Sequence, residues 1–281
     1  MADSSHSIDA DTRIYGILGR PVAHSLSPAM HNAAFRELGV NAVYLAFPVA
    51  ALPQAVAGIR GLALGGVGVT IPFKEEIIPL LDDLDPQAAR IGAVNTVVNR
   101  EGRLIGYNTD WLGAVAALKA KTGFRGEHFL ILGAGGAARA IAFGIREEGG
   151  RVSLADLDAP KAVALARDLR GEALPLGAVN LCPAAVLINA TPVGMTPKVD
   201  EMAIDPDQLG RFRLVMDIVY RPRTTRLLKE ARSRGCDTIE GLQMLIHQAT
   251  AQFELLTGLT APMAVMADAA YEALAEIGEA D

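Results

Sequence analysis

The sequence predicts an α/β protein of two domains, an N-terminal domain with a mixed sheet and a second domain with a doubly wound parallel sheet. Three observations carry that prediction. Short apolar runs alternate with longer amphipathic stretches along most of the chain. The alternation is interrupted over residues 93–107, where two β-rich pieces follow each other with no helix between them, and it restarts at His128 with an apolar run that leads into a glycine cluster. A length of 281 residues and 29.6 kDa leaves room for two separate cores.

The elements follow in order. Arg13-Ile-Tyr-Gly-Ile-Leu reads as a first strand, and Ser27-Pro28 then reads as an N-cap with proline at the first helical position. That helix runs to Leu38 and stops at Gly39. Asn41 to Phe47 is a second strand, Leu52 to Ile59 a helix, and Gly66 to Thr70 a third strand that stops before Pro72. Phe73 to Leu81 is taken as another helix. Ala93 to Asn99 and Arg103 to Tyr107 form a hairpin through Arg100-Glu-Gly, and Asp110 caps an Ala-rich helix from Trp111 to Lys121. The second half places strands at His128 to Leu132, Arg151 to Ala155, Ala185 to Asn189 and Leu214 to Val219, with helices between them. Two amphipathic helices, Leu242 to Leu256 and Pro262 to Ile277, end the pattern. The expected division is residues 12–111 with 242–281 for the first domain and 112–241 for the second.

Charge and composition narrow the partners. The formal charge is −6 and the isoelectric point about 5.4, with no run of Lys/Arg, so nothing supplies the basic footprint that nucleic acid or an anionic membrane requires. The uncharged stretches 38–59 and 173–197 are broken by Pro, Gly and Asn and read as buried strands and loops rather than membrane spans. Cys182 and Cys236 lack metal-site spacing and read as free thiols of a cytoplasmic protein, and no His/Cys/carboxylate cluster predicts a metal. The opening residues MADSSHSIDADTR are polar, unlike a signal or transit peptide, and read as a frayed tail.

Gly133-Ala134-Gly135-Gly136-Ala137-Ala138 follows an apolar strand and opens a helix, the context in which a glycine cluster becomes a dinucleotide fingerprint. The glycines permit a tight turn and close backbone approach, and the helix N-terminus offers N–H groups to a pyrophosphate. Asp156 ends the next strand where the fingerprint places an acid that hydrogen-bonds ribose hydroxyls, and the following Leu157 and Asp158 supply no Arg for a 2′-phosphate. This favours NAD as cofactor. Asp158 fits the role of cap for a helix from Pro160 to Leu169. The second domain is therefore of Rossmann type.

Polar residues also gather where strands of the first domain end: Ser25, Ser27, Thr70, Lys74, Asn95 and the Asn108-Thr109-Asp110 turn. Taken singly each has an ordinary explanation, as cap, β-former, turn or solvated charge. Together they resemble a family pattern. Gly19-Arg-Pro-Val-Ala-His-Ser-Leu-Ser-Pro-Ala-Met-His-Asn, Gly68-Val-Thr-Ile-Pro-Phe-Lys, Gly92-Ala-Val-Asn-Thr, Gly106-Tyr-Asn-Thr-Asp, the glycine cluster, Asn189-Ala-Thr-Pro-Val-Gly-Met, Asp217-Ile-Val-Tyr-Arg-Pro and Gly241-Leu-Gln-Met-Leu-Ile-His-Gln are similar, in content and in order, to the shikimate dehydrogenase family. The likeness runs from Ile14 to about Gly258.

The resemblance implies a substrate domain and a Rossmann domain with the active site in the cleft. It implies reversible reduction of 3-dehydroshikimate to shikimate, a step of aromatic amino-acid (chorismate) biosynthesis, with hydride exchanged with NAD or NADP; the family norm is NADP. Carried over by motif, Ser25 and Ser27 would bind the substrate carboxylate, and Thr70, Asn95, Tyr220 and Gln248 would contact substrate oxygens. Lys74 and Asp110 would be the catalytic pair, while Ile218, Gly241 and Met244 would join the glycine loop and Asp156 at the cofactor. An ammonium beside a ketone suits the reaction, because negative charge grows on that oxygen as hydride arrives.

NADP-using members commonly carry an Asn-Arg-Thr string where this chain has Asp156-Leu157-Asp158, which brings it towards NAD-tolerant members that oxidise quinate. Ser25-Leu26-Ser27, in contrast, resembles the shikimate-selective form. The alternatives are a quinate/shikimate dehydrogenase and a non-catalytic dinucleotide sensor. A monomer or a homodimer is expected.

Overall fold

The structure is a computed structural model and describes residues 8–279. The chain divides into two compact units, one running to Thr109 and resuming at Ala249, the other from Asp110 to Gln248. The first division lies two residues before the 111/112 boundary read from sequence, and the second seven residues beyond 241/242. The latter falls inside a continuous helix, whose first turns belong to one unit and whose remainder belongs to the other.

In the first unit the strands are β1 (Arg13–Gly19), β2 (Ala42–Pro48), β3 (Gly66–Val69), β4 (Asp83–Leu84), β5 (Thr96–Arg100) and β6 (Arg103–Tyr107). Its helices are α1 (Ser27–Glu37), α2 (Leu52–Gly61) and α3 (Pro86–Ile91). The sheet order is β2-β1-β3-β5-β6-β4. β1 pairs in parallel with β2 and β3, whereas β5 is antiparallel to both β3 and β6, so the sheet is mixed as the uninterrupted β-rich stretch implied. Glu101 and Gly102 both take positive φ, 55° and 89°, in the tight turn that joins β5 to β6.

The second unit contains α4 (Asp110–Lys119), β7 (His128–Leu132), α5 (Gly136–Glu147), β8 (Arg151–Ala155), α6 (Ala159–Asp168), β9 (Glu172–Ala173), β10 (Val186–Asn189), β11 (Leu214–Asp217), α7 (Arg226–Ser233) and β12 (Asp237–Ile239). The chain then enters α8 (Gly241–Thr257), which carries it into the first unit, where α9 (Met263–Glu279) packs on α1. The strand order β12-β11-β10-β7-β8-β9 is parallel throughout and is the doubly wound Rossmann order read from the opposite edge. Every residue of β7 is buried, as expected of a strand covered on both faces.

Four local expectations are corrected. The N-cap of α1 is Leu26, which makes no side-chain cap; Ser27 is already the first helical residue, and its N–H donates to the Ser25 hydroxyl at 3.2 Å. Residues 73–81 form turns and a short 3-10 turn at Ile78–Leu80 instead of an α-helix. Pro79 explains this, since inside a helix it would remove one hydrogen bond and clash with the preceding turn. Residues 93–95 precede β5 instead of belonging to it. Asp110 is the first residue of α4 rather than its cap, and the helix ends at Lys119.

Residues 1–7 of the expected tail lie outside the described residues. From Asp9 onward the chain is tied down: the Asp9 carboxylate accepts from Asn41 at 2.9 Å, and the Thr12 hydroxyl donates to Asn41 at 2.7 Å. Cys182 and Cys236 are buried free thiols. No helix is long and apolar enough to cross a membrane among the described residues.

Candidate active site

The glycine loop lies between β7 and α5. Gly133 has φ +113°, and a Cβ there would stand 3.0 Å from the Ala190 carbonyl oxygen, so both conformation and space require glycine. Its N–H donates to Ala155 O at 2.8 Å. The buried Ala134 donates its N–H to Asp156 Oδ2 at 2.7 Å. Gly135 is the N-cap of α5 and makes no side-chain cap bond, and a Cβ built on it would meet nothing within 4 Å. The loop therefore has an open side lined by backbone, at a helix end whose first N–H groups have no side-chain cap. That arrangement fits the pyrophosphate of a dinucleotide.

Asp156 holds two main-chain donors, since its Oδ1 also accepts the Asp158 N–H at 2.8 Å. Asp158 in turn caps α6 through the Lys161 N–H at 3.1 Å, the role assigned to it from sequence. Between them Leu157 is 92% exposed, an aliphatic side chain directed to solvent beside the Asp156 carboxylate.

At the C-terminal ends of β10 and β11 a polar group is buried that sequence reasoning did not single out. Asp217 is 0% exposed and accepts from the Thr225 hydroxyl at 2.6 Å, Asn189 Nδ2 at 3.0 Å and the Val219 N–H at 3.1 Å. Burial pushes its carboxyl up to about 6, against the lowering effect of those three donors. Asn189 also orders the following loop, accepting from the Thr191 N–H and hydroxyl and donating to Val193 O. The signal was present in the sequence as polar residues closing two apolar strands.

The same strand end positions Ile218, Val219 and Tyr220. A Cβ on Gly241 would stand 2.4 Å from Ile218 O, so the start of α8 approaches this segment backbone to backbone. Tyr220 is partly exposed to solvent, and burial of its phenol pushes it up to about 12. One helical turn later Met244 is buried, and Gln248, 7% exposed, donates to Leu245 O at 3.1 Å. α4 packs closely here: a Cβ on Gly113 would be 2.6 Å from Met244 O. His247 is lowered by burial, in keeping with a packing role.

In the first unit the candidates gather where β1 and β3 end. A Cβ on Gly19 would stand 2.4 Å from Thr70 Cγ2, and Thr70 N–H donates to Leu18 O at 2.9 Å, which sets Thr70 beside the segment leading to Ser25 and Ser27. Val69 N–H donates to Asn95 O at 2.7 Å, and Lys74 O accepts the Val94 N–H at 2.7 Å, so Thr70, Lys74 and Asn95 lie on adjoining backbone. Asn95 is buried; its Oδ1 accepts the Thr109 N–H at 2.7 Å and its Nδ2 donates to Thr109 Oγ1 at 2.9 Å. Asn108 anchors the same turn by donating to Ala93 O at 2.8 Å. Ser25, Ser27, Thr70, Lys74 and Asn95 thus belong to the first unit, while Asp110, Tyr220, Gln248 and the glycine-loop residues belong to the second. Among the described residues no group of three or more His, Cys, Asp or Glu is placed to hold a metal ion.

Residues 17–97 match the model of the shikimate dehydrogenase substrate binding domain, and residues 241–271 match that of the shikimate 5'-dehydrogenase C-terminal domain. A shikimate dehydrogenase (NADP(+)) from Thermococcus kodakarensis is 48% identical over 273 residues, covering 95% of this chain and 99% of its own. The chain belongs to the shikimate dehydrogenase family. Within the family, the crystal structure of the Thermus thermophilus shikimate 5-dehydrogenase in complex with NADP(H) and shikimate has a TM-score of 0.85 at 41% identity, covering 93% of this chain and 100% of that one. A quinate dehydrogenase from Corynebacterium glutamicum in complex with NAD also has a TM-score of 0.85, at 31% identity over 93% and 99% of the two chains.

Proposed function

We propose that this chain is a shikimate dehydrogenase that reversibly reduces 3-dehydroshikimate to shikimate for the biosynthesis of aromatic amino acids, with a nicotinamide dinucleotide as co-substrate. The observation that carries the reading is the clustering of Thr70, Lys74 and Asn95 on adjoining backbone of a domain that matches a substrate-binding family model.

The cofactor, when bound, supplies or accepts the hydride. The chain's residues do the rest. Ser25 and Ser27 donate hydroxyl protons to the substrate carboxylate, and Thr70, Asn95, Tyr220 and Gln248 meet its hydroxyl oxygens. Lys74 Nζ donates a proton to the ketone oxygen as charge develops there and takes it back in the oxidative direction. Asp110 holds that ammonium in place. Gly133, Ala134, Gly135, Gly136 and Ala137 bind the pyrophosphate, Asp156 the ribose hydroxyls, and Ile218, Gly241 and Met244 the nicotinamide side.

NAD is the favoured cofactor. The support is the Asp156 carboxylate fixed at the glycine loop and an exposed Leu157 where a 2′-phosphate would need a cation. The cysteine content supports a cytoplasmic enzyme, and its partners are small molecules. Shikimate oxidation by the purified protein, followed through the reduced nicotinamide with NAD and with NADP, tests the proposal. Turnover with NAD preferred supports both parts. Turnover with NADP preferred leaves the activity standing and removes the cofactor argument, and comparable kcat/KM for quinate places the chain with the quinate/shikimate dehydrogenases. Absence of turnover with either cofactor overturns the proposal in favour of a sensor.

A further inference from the structure

Gly19 closes β1 without a positive φ, so its backbone conformation suits any residue and only space holds the position to glycine. A Cβ there would stand 2.4 Å from Thr70 Cγ2, far inside carbon–carbon contact, and 3.3 Å from Val22 Cβ and Cγ2. Neither side is placed to yield. The Gly19 carbonyl accepts the Val49 N–H at 3.1 Å, and Val22 is buried.

Thr70 is held as firmly. Its N–H donates to Leu18 O at 2.9 Å and its carbonyl accepts the Phe73 N–H at 3.0 Å, so both of its main-chain groups are spent. Its methyl group fills the space that the missing Gly19 side chain leaves. Among the described residues nothing hydrogen-bonds the Thr70 hydroxyl, and the side chain is half-buried with that oxygen still in contact with solvent.

The handedness of threonine turns this packing into a choice of rotamer. Methyl, hydroxyl and hydrogen occupy the three staggered positions around Cβ in a fixed cyclic order. Turning the side chain so that hydrogen faces Gly19 carries the methyl into the place now held by the hydroxyl. The third rotamer sets the hydroxyl oxygen against Gly19 instead. Only the observed one packs the methyl on Gly19 and leaves the oxygen outward.

We infer that Gly19 is a positioning residue that selects the Thr70 rotamer, so that this subsite offers the substrate a hydroxyl and not a methyl group. The inference rests on the substrate contact proposed for Thr70. Gly19→Ala should drive Thr70 into the rotamer with hydrogen at position 19, and its methyl then replaces the hydroxyl. KM for shikimate should rise about tenfold, the scale of one net hydrogen bond, with kcat within about twofold of wild type. Thr70→Val, which deletes the hydroxyl and keeps the branched shape, should raise KM by a similar factor. Serine has the hydroxyl and no methyl to collide, so Gly19→Ala/Thr70→Ser should hold KM within about threefold of wild type, the most that freedom among three rotamers costs. A residue that merely packs would not be rescued in this way.

Steady-state kinetics with thermal melts on the four variants, Thr70→Ser alone included, makes the test. If Thr70→Val raises KM but Gly19→Ala does not, or if the double variant keeps the defect of Gly19→Ala, the inference is overturned and Gly19 serves packing alone. Should Gly19→Ala not fold, the double variant decides: recovery of both folding and KM supports the inference, and loss of either overturns it. If Thr70→Val leaves KM unchanged, the substrate role proposed for Thr70 fails and the inference with it.

Discussion

Asp156 Oδ2 accepts the main-chain N–H of Ala134 at 2.7 Å. The carboxylate proposed to read the ribose is thereby tied to the second residue of the glycine loop, and the two parts of the proposed nucleotide site share one support. The neighbouring Leu157 makes no such contribution, being 92% exposed.

Cofactor choice follows from this pair of residues. Asp156→Asn combined with Leu157→Arg removes the repulsion of a 2′-phosphate and adds a fork of donors for it. The ratio of kcat/KM for NADP to that for NAD should rise about 100-fold, on the scale of two charge-assisted hydrogen bonds at roughly 1.5 kcal/mol each. Steady-state kinetics with both cofactors checks this, and an unchanged ratio would place phosphate discrimination elsewhere in the chain.

Gly135 and Gly241 separate cofactor approach from packing. A Cβ at Gly135 meets nothing within 4 Å, so Gly135→Ala should leave the melting temperature unchanged and raise the KM for the dinucleotide about tenfold by blocking close approach of the pyrophosphate. At Gly241 the same methyl would stand 2.4 Å from Ile218 O. Gly241→Ala should therefore lower the melting temperature as well as cofactor affinity, through displacement of the Ile218 main chain. Thermal melts beside cofactor titrations distinguish the two.

Lys74 and Asp110 are the proposed proton-handling pair. Lys74→Ala should lower kcat by about 10³-fold, within the usual range for removal of a general acid, while shikimate still binds. Single-turnover kinetics with a direct binding measurement makes the comparison. A variant that retains near-normal kcat would sink the assignment.

Asp217 predicts a pH dependence of stability. Its carboxyl lies at about 6 in the folded protein against a reference of 3.8, so between those values the folded state holds the proton more tightly than the unfolded one. Its contribution is therefore fully present below about pH 4 and is lost as pH rises through 6, an effect of about 3 kcal/mol from a shift of roughly two units. Asp217→Asn can still accept from Val219 and Asn189 and can donate to the Thr225 hydroxyl. Relative to wild type it should gain stability between pH 4 and pH 7, measured by denaturant unfolding at several pH values. A wild-type-to-variant difference that does not change with pH would contradict the origin given for the shift.

Much of the architecture was legible in the chain itself. β7 and β8 were placed to the residue; β7 is buried throughout and reads as a nearly unbroken apolar run, and β8 follows the glycine turn and helix α5 in the alternation that the first strand sets up. The glycine loop and Asp156 were legible for a related reason: the conformations and donors they need are local properties of a strand-to-helix turn. The short strands β4, β9 and β12 were not, since two or three residues become a strand only by pairing with a neighbour that the local sequence does not name. Residues 73–81 carry an apolar pattern that reads as a helix, but Pro79 lies within it and the segment forms turns instead.

The polar supports of the site belong wholly to the tertiary structure. Gln252 donates its amide N–H to Asn95 O across 157 residues, and on α8 a glutamine one turn after Gln248 is indistinguishable from an ordinary helix residue. Asn189, Asp217 and Thr225 likewise meet only because β10 and β11 are neighbours in the sheet. The sequence by itself determined the order of the longer elements, the glycine turn between β7 and α5 and the resemblance to the family, because backbone preference and burial pattern depend on near neighbours. Which donor faces which acceptor was decided by the folded chain, because a hydrogen bond acts only over about 3 Å and its partners are brought within that range by packing.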